Sequence, residues 1–122
     1  MGRTYQIAVI AGDGVGPEVV REGLRVLDAL HAIDGFAYKT TMYPFGAEHY
    51  LKTRELMPAS ALQELQQFDA IYLGAIGAPT VPDHVAVWDL ILPIRQRFDQ
   101  YVNLRPMRLL PGIVSPFSIS LR

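Results

Sequence analysis

The stretch GDGVGPEV, residues 12–19, decides the fold, because it joins an apolar run to an amphipathic one. The preceding run YQIAVIA, residues 5–11, is rich in Ile and Val and stops at a glycine, which predicts a buried strand. The following run, residues 19–30, has apolar residues at helical spacing, and Pro17 and Glu18 suit the first turn of a helix. The segment therefore predicts a strand, a glycine turn and a helix that packs on a sheet.

The glycines of this turn do not match the dinucleotide fingerprint G-x-G-x-x-G. They stand at Gly12, Gly14 and Gly16, and Asp34 precedes the predicted second strand instead of ending it, where it would bind the ribose. We therefore do not expect a Rossmann fold. Three interpretations of the turn stay open: a tight connection, room for another loop to cross, or free N–H groups at the helix start that bind an anion or a polar ligand.

The rest of the chain alternates predicted strands and helices, which is typical of an α/β layer. The predicted order is a strand over 36–43, short helices over 46–53 and 58–67, a strand over 69–73, a glycine- and proline-rich loop over 74–85, a helical run over 86–102 and an extended segment over 103–114. Pro93 removes one internal hydrogen bond from the helical run, so we expect a kink or a break near it. The predicted fold class is α/β.

The composition excludes several classes of protein. Half of the 122 residues are hydrophobic and the net charge is -1, which argues against a disordered tail or a general nucleic-acid binder. The absence of cysteine excludes disulfides and thiolate metal sites. No apolar run approaches the roughly 18 residues of a membrane span, and the first residues lack a signal-peptide core. We expect a soluble cytoplasmic protein whose partner is a small molecule or another protein, not a nucleic acid or a membrane.

Positive charge is concentrated in one segment of the otherwise neutral chain. Arg95, Arg97, Arg105 and Arg108 lie there, with Asp99 as the acidic residue between them. Arginine binds a carboxylate with two parallel hydrogen bonds, so two such side chains suit a small polycarboxylate. The alternative is a solvated helix face. Apolar neighbours at helical spacing favour Arg95 as an anion-binding residue, and the prolines around Arg105 fix the direction of its side chain. We expect Arg97 and Arg108 at the surface.

Other polar and aromatic residues give weaker indications. His31, His49 and His84 show no metal-ligand spacing, and a lone histidine is more often a surface residue than a catalyst. Trp88 is interpreted as a core residue, with the lining of a binding pocket as the alternative. These residues alone therefore predict no catalytic group.

Three segments in this order resemble the beginning of the β-decarboxylating dehydrogenases, the isocitrate/isopropylmalate dehydrogenase family. They are AVIAGDGVGPEVV at 8–20, DAIYLGAIGAPTVPDHVAVW at 69–88 and LPIRQRFDQYVNLRPMRLLPG at 92–112. The sequence around Trp88 is most similar to the tartrate and D-malate dehydrogenases, with isopropylmalate dehydrogenase next. The resemblance implies an α/β/α fold that binds NAD without a Rossmann fold, and oxidation of a 2-hydroxy dicarboxylic acid followed by loss of its β-carboxylate.

The resemblance also implies roles for individual residues. Arg95 and Arg105 match the arginines that hold the substrate carboxylates, and Trp88 and Ile91 stand where the family contacts the substrate side group. The residues implied to lie near the cofactor are Asp13, Gly14, Gly74, Ala75, Ile76, Gly77, Ala78 and Pro79. A divalent cation, Mg²⁺ or Mn²⁺, would polarise the hydroxyl group and then the ketone.

In the family, the metal-binding aspartates, the catalytic tyrosine and lysine and the dimerising second domain come later than the segment that this chain resembles. We therefore expect residues 1–122 to be the N-terminal segment of the large NAD-binding domain, with 100–122 starting the crossover to the second domain. We expect the isolated chain to be inactive and to leave sheet edges and apolar faces uncovered. A non-catalytic module that binds an anion through the same arginines is the alternative, and the homodimer of the full-length family is uncertain here.

Overall fold

A three-stranded parallel sheet forms the centre of the computed structural model, which describes residues 3–114. The strands are β1 (Thr4–Gly12), β2 (Ala37–Tyr43) and β3 (Ala70–Ala75), in the order β2-β1-β3. Residues Ala8, Val9 and Ile10 of the central strand are fully buried. A continuous apolar run of this kind is typical of a strand that is covered on both faces of a parallel sheet. The predicted α/β class is confirmed.

Helix α1 (Gly16–Asp34) connects the first two strands and packs against β1 and β3. Pro17 lies in its first turn, where a missing N–H group costs nothing. Gly35 ends the helix in the left-handed conformation, with φ 71°, and donates its N–H to the His31 carbonyl oxygen at 2.9 Å. Residues 12–19 therefore form the predicted strand, turn and helix.

The opposite face of the sheet carries the main hydrophobic core. Helices α2 (Ala47–Thr53) and α3 (Ala61–Leu65) contribute to it, together with a later helical segment. Its buried residues are Ala8, Ile10, Phe45, Leu56, Met57, Ala61, Leu65, Ala86, Leu90 and Ile94. Because neighbouring strand residues point to opposite faces, the buried Val9 lies on the other face, which α1 covers with the buried Val20.

The later helical segment runs through Pro93 without a break. It consists of α4 (Asp83–Ala86), a π turn (Val87–Ile91) and α5 (Leu92–Arg97). The N–H of Leu92 donates to the carbonyl oxygen of Val87, five residues earlier, which widens the helix just before the proline. The predicted irregularity is present, but it is a widened turn and not an interruption of the helix.

Several boundaries differ from the sequence-based expectation: the helical run predicted over 86–102 begins at Asp83, inside the predicted loop, and ends at Arg97. Helix α3 is shorter than the predicted 58–67, because the N–H of Ala61 donates to Pro58 in a turn before it, and the N–H groups of Gln67 and Phe68 donate three residues back in tighter turns after it. Strand β3 continues to Ala75, which pairs with Gly12. Residues 103–110 and 113–114 have neither helix nor strand. The last eight residues of the predicted crossover, 115–122, lie outside the described residues.

Large apolar side chains are exposed on α1 and along the extended segment. Ile33 near the end of α1 is 78% exposed, and Tyr101 and Met107 are 94% and 95% exposed. Both outer strands of the sheet, β2 and β3, have one edge without a neighbouring strand in the described part of the chain. The expectation that edges and apolar faces stay uncovered is therefore confirmed.

Candidate functional site

The glycine turn lies where the direction of the chain through the sheet reverses. The chain passes from β1 to β2 on one side and then to β3 on the other, so the reversal falls between β1 and β3. Gly12 and Ala75, the last residues of these strands, are partners in register. In open α/β sheets, ligands bind at the carboxyl ends of the strands at such a point. This edge of the sheet is therefore the candidate site.

Two of the three glycines are required by close packing at this edge. A Cβ atom on Gly12, which has φ 75°, would collide with the carbonyl oxygen of Ala75. A Cβ atom on Gly16 would collide with the carbonyl oxygen of Ala11. Gly16 therefore allows the tight connection between β1 and α1, and Gly12 leaves room for the chain that follows β3.

Gly14 and Gly77 differ from these two, because no atom lies within 4 Å of the position that a Cβ would take. Both have positive φ, 55° and 133°, and belong to neighbouring loops after β1 and β3. Their main chain is therefore open to an approaching molecule. Such uncovered backbone is what a flat cofactor ring needs for close contact, so these residues fit the nicotinamide nucleotide that the sequence implied.

The carboxylate of Asp13 joins three segments of the chain. It accepts hydrogen bonds from the N–H of Ala47, at 2.8 Å to Oδ1 and 2.9 Å to Oδ2, and from the N–H of Gly77, at 3.0 Å to Oδ2. The N–H of Asp13 also donates to the carbonyl oxygen of Ala75 at 2.7 Å. Asp13 is half-buried, and a Cβ on Gly46 would lie 2.7 Å from its Oδ1. The residue before α2 therefore has to be small.

A cavity of about 330 Å³ opens beside Asp13, between the ends of β1 and β2. Its lining residues are Ala11, Gly12, Asp13, Met42, Tyr43, Pro44, Phe45, Gly46 and Glu48. The Lys52 ammonium donates to Glu48 at 2.7 Å and lowers the pKa of that carboxyl group. This cavity could not be predicted from the sequence, because its two walls are brought together by strand pairing.

The two arginines predicted to bind carboxylates are both exposed, and they lie in different settings. Arg95 is on α5 and borders a shallow depression with Asp99 and Tyr101. Arg105 lies in the extended segment after α5. Neither forms an ion pair with another residue of the range 3–114. Their guanidinium groups are available to an anion, but Arg105 does not line the depression beside Arg95.

Trp88 lies at the surface and not in the core, because 64% of its side chain is exposed. It borders a groove of about 360 Å³ together with Arg54, Met57 and Pro93. This placement favours the pocket-lining interpretation. Ile91 is half-buried and packs against the core. Trp88 and Arg95 line separate depressions, so the structure does not bring all the predicted substrate residues into one cavity.

The predicted cofactor loop continues from β3 into an open groove. Gly77, Ala78 and Pro79 line it together with Val81, Pro82 and Asp83. The N–H of Val81 donates to the carbonyl oxygen of Ala78 at 2.9 Å, which closes a turn within the loop. Over residues 3–114 no group of three or more His, Cys, Asp or Glu side chains is arranged to bind a metal ion. The same residues include no helix that is long and apolar enough to cross a membrane.

Comparison with known proteins agrees with this architecture. The profile of the isocitrate/isopropylmalate dehydrogenase family matches residues 6–120. The chain belongs to the isocitrate/isopropylmalate dehydrogenase family. A β-decarboxylating dehydrogenase from Thermococcus kodakarensis, solved in its apo form, has the same fold over 80% of the chain, with a TM-score of 0.63 and 30% identity, and the match covers 27% of that structure.

The relatives of the chain in this dehydrogenase family are named for different substrates. A probable tartrate dehydrogenase/decarboxylase of Agrobacterium vitis is 51% identical over 93% of the chain. The 3-isopropylmalate dehydrogenase of Thermobifida fusca is 50% identical over 95%, and the decarboxylating D-malate dehydrogenase of Escherichia coli is 47% identical over 97%. The chain spans about a third of the length of these relatives, 32% to 33%.

Proposed function

We propose that the chain is the N-terminal part of an NAD-dependent and metal-dependent β-decarboxylating dehydrogenase that oxidises a 2-hydroxy dicarboxylic acid of the tartrate or D-malate type. The observation that carries this proposal is the open backbone of Gly14 and Gly77 at the point where the sheet reverses direction. Because the chain belongs to the dehydrogenase family, we interpret this open edge as a cofactor site. The names of the relatives in turn suggest the class of substrate.

The residues at the edge of the sheet are proposed to receive the cofactor. Gly74 to Pro79 would border its nicotinamide half, with Asp13 and Gly14 at the neighbouring turn. Bound NAD would accept a hydride from the carbon that carries the substrate hydroxyl group. The contribution of the chain is to bind and orient the cofactor, which raises the effective concentration of the reacting groups.

The two exposed arginines are proposed to hold the substrate. The main chain of Arg95 belongs to helix α5, and Arg105 lies in a segment without helix or strand. A guanidinium group forms two parallel hydrogen bonds with a carboxylate, so one arginine for each carboxylate would orient a diacid. Trp88 and Ile91 would contact the substrate side group, and the bulk of Trp88 favours a short substrate.

The 122-residue chain alone is proposed to be inactive. Residues 3–114 hold no group of three or more side chains that fits a divalent cation, so the proposed cation would need ligands from outside this range. The coverage of about a third of each relative supports this proposal, because the catalytic groups that the family implies come later than the matched segment. Purified chain with NAD, Mg²⁺ or Mn²⁺ and D-malate, tartrate or 3-isopropylmalate should produce no NADH above background. Measurable turnover would contradict the proposal.

Substrate binding is tested separately by titration calorimetry. Arg95→Ala should weaken D-malate or tartrate binding at least about tenfold, since it removes a charge-assisted bidentate contact. Arg97→Ala is the matched control on the same helix and should change affinity by less than about twofold. Unchanged affinity in Arg95→Ala would exclude Arg95 from the site.

Two alternatives have specific support. The isopropylmalate dehydrogenase relative is as similar as the tartrate relative, so tighter binding of 3-isopropylmalate than of D-malate and tartrate would favour that substrate. The exposure of both arginines also suits a non-catalytic anion-binding module. Such a module would bind dicarboxylates to the same extent with and without NAD, and it would show no affinity for NAD.

A further inference from the structure

We infer that Asp13 is a positioning residue for the cofactor loop, and that it acts through the main chain of Gly77 instead of binding the cofactor with its own side chain. The inference rests on the proposed function, because it concerns the same edge of the sheet. It assigns to Asp13 a role different from the direct contact that the sequence implied.

Asp13 forms hydrogen bonds with the chain on both sides of Ile76, at the start of the loop. Its N–H donates to the carbonyl oxygen of Ala75 at 2.7 Å, and its Oδ2 accepts from the N–H of Gly77 at 3.0 Å. The two bonds flank Ile76, so the chain direction between β3 and the open backbone of Gly77 is fixed by a single residue. A shift of Asp13 would therefore move the surface that is open to a ligand.

The side chains of the loop are held by apolar packing, since Ile76 packs against the main core and Val81 is buried. The N–H of Val81 donates to the carbonyl oxygen of Ala78, which shapes the loop without connecting it to the sheet. Among the described residues, the bond from Gly77 to Asp13 is the only side-chain hydrogen bond to residues 76–81. Between the packed side chains of Ile76 and Val81, the position of the Gly77 main chain therefore depends on this carboxylate.

A carboxylate is required because two main-chain N–H groups point at it. Ala47 donates at 2.8 and 2.9 Å and Gly77 at 3.0 Å, and an ionised carboxylate consists of acceptors only. The N–H of Ala47 lies within hydrogen-bond distance of both oxygens, so an asparagine in either orientation would place its NH₂ group against that N–H. The side chain would have to move away from Ala47, which would weaken its bond with Gly77 although the side chain keeps its size.

The test uses Asp13→Asn with Asp34→Asn as a matched control, since Asp34 is exposed at the end of α1. Amide exchange at Gly77 and Ala47 is followed by NMR, and the binding of NAD and of tartrate by titration. We expect Gly77 to exchange at least about tenfold faster in Asp13→Asn and NAD to bind at least about tenfold more weakly. Tartrate affinity should stay within about twofold, as should every value in the control.

The outcomes distinguish the inference from the function on which it rests. Unchanged Gly77 exchange or unchanged NAD affinity in Asp13→Asn overturns the inference and leaves the proposed function standing. Failure of the wild-type chain to bind NAD overturns the proposed function, and the cofactor role of Asp13 with it. If Asp13→Asn does not fold, amide exchange in the wild type decides: the Gly77 N–H should be protected to about the same extent as the Ala47 N–H, and an unprotected Gly77 would overturn the inference.

Discussion

The hydroxyl group of Tyr72 on β3 occupies the space in which Gly23 on α1 would carry a side chain. A Cβ atom added to Gly23 would collide with the Tyr72 hydroxyl oxygen and would lie 2.8 Å from the ring carbon that bears it. The helix that follows the glycine turn can approach the sheet this closely because residue 23 has no side chain. The contact therefore contributes to the position of α1 and of the turn at its start.

We predict that Gly23→Ala destabilises the fold even though alanine is the better helix former. Alanine gains about 1 kcal/mol in a helix interior, whereas forcing an atom into a packed interface costs about 1–3 kcal/mol. Urea unfolding should therefore show a net loss in Gly23→Ala. In a Tyr72→Phe background, which lacks the colliding oxygen, the loss should become smaller. An equal change in both backgrounds would contradict the assigned contact.

Leu90 on the π turn is fully buried, and it provides a test of the main core. We predict that Leu90→Ala lowers the free energy of unfolding by about 2–5 kcal/mol, because it leaves a cavity in the main core. Val87→Ala on the same turn is the control, since 41% of Val87 is exposed, and it should have a much smaller effect. Similar losses in the two variants, measured by urea unfolding, would show that Leu90 is not a core residue.

The first strand, turn and helix could be predicted from the sequence because their signals are local. Ile and Val residues mark β1, the glycines mark the turn, and Pro17 marks the first turn of α1. The end of β3 could not be predicted, because Ala75 extends the strand by pairing with Gly12, a residue far away in sequence. Local patterns therefore determined the elements but not their exact ends.

The contacts of the candidate site could be predicted from the sequence only in part. The glycine turn itself pointed to the correct edge of the sheet, but the partners of Asp13 did not follow from it. Ala47 and Gly77 are 34 and 64 positions away, and they meet at Asp13 only because β1 lies between β2 and β3. The exposure of Trp88 was also unpredictable, because the π turn changes which residues of that helix face the core.

The Tyr38 hydroxyl donates to Asp28 Oδ1 at 2.6 Å and connects β2 to α1. This hydrogen bond, followed by burial and by the negative charge of Asp28, raises the pKa of Tyr38 above its usual value. Only the neutral phenol can donate, so its stabilisation of about 1 kcal/mol is complete below the usual pKa of about 10. The stabilisation should be lost as the pH rises through the raised pKa of the folded state.

We therefore predict that Tyr38→Phe is less stable than the wild type at neutral pH. The difference in urea midpoint should decrease at alkaline pH, where the wild type loses the same hydrogen bond. Tyr101→Phe is the control, since Tyr101 is 94% exposed and should show no difference at either pH. A Tyr38→Phe difference that stays constant into the alkaline range would exclude the Asp28 bond as its source.

The π turn before Pro93 has two competing causes. Pro93 lacks an N–H group and disfavours a regular helix, but Ala86, Leu90 and Ile94, on both sides of the turn and within it, are all buried with the widened turn in place. A regular helix would rotate the residues before the turn by about 100° and expose part of this row. Burial of a leucine contributes about 1.5–3 kcal/mol, against about 1 kcal/mol for one regained hydrogen bond, so burial should dominate.

We therefore predict that Pro93→Ala keeps the π turn. Trp88 is the only tryptophan of the chain and lies within this turn, so its emission reports on the turn directly. The emission maximum should be unchanged in Pro93→Ala and in Leu90→Ala, and it should shift only in the double variant, where both causes are removed. Because the double variant also loses core packing, it is compared with Leu90→Ala at matched fractions folded. A shift in Pro93→Ala alone would assign the turn to the proline, and the position of Trp88 in its groove would then depend on that single residue.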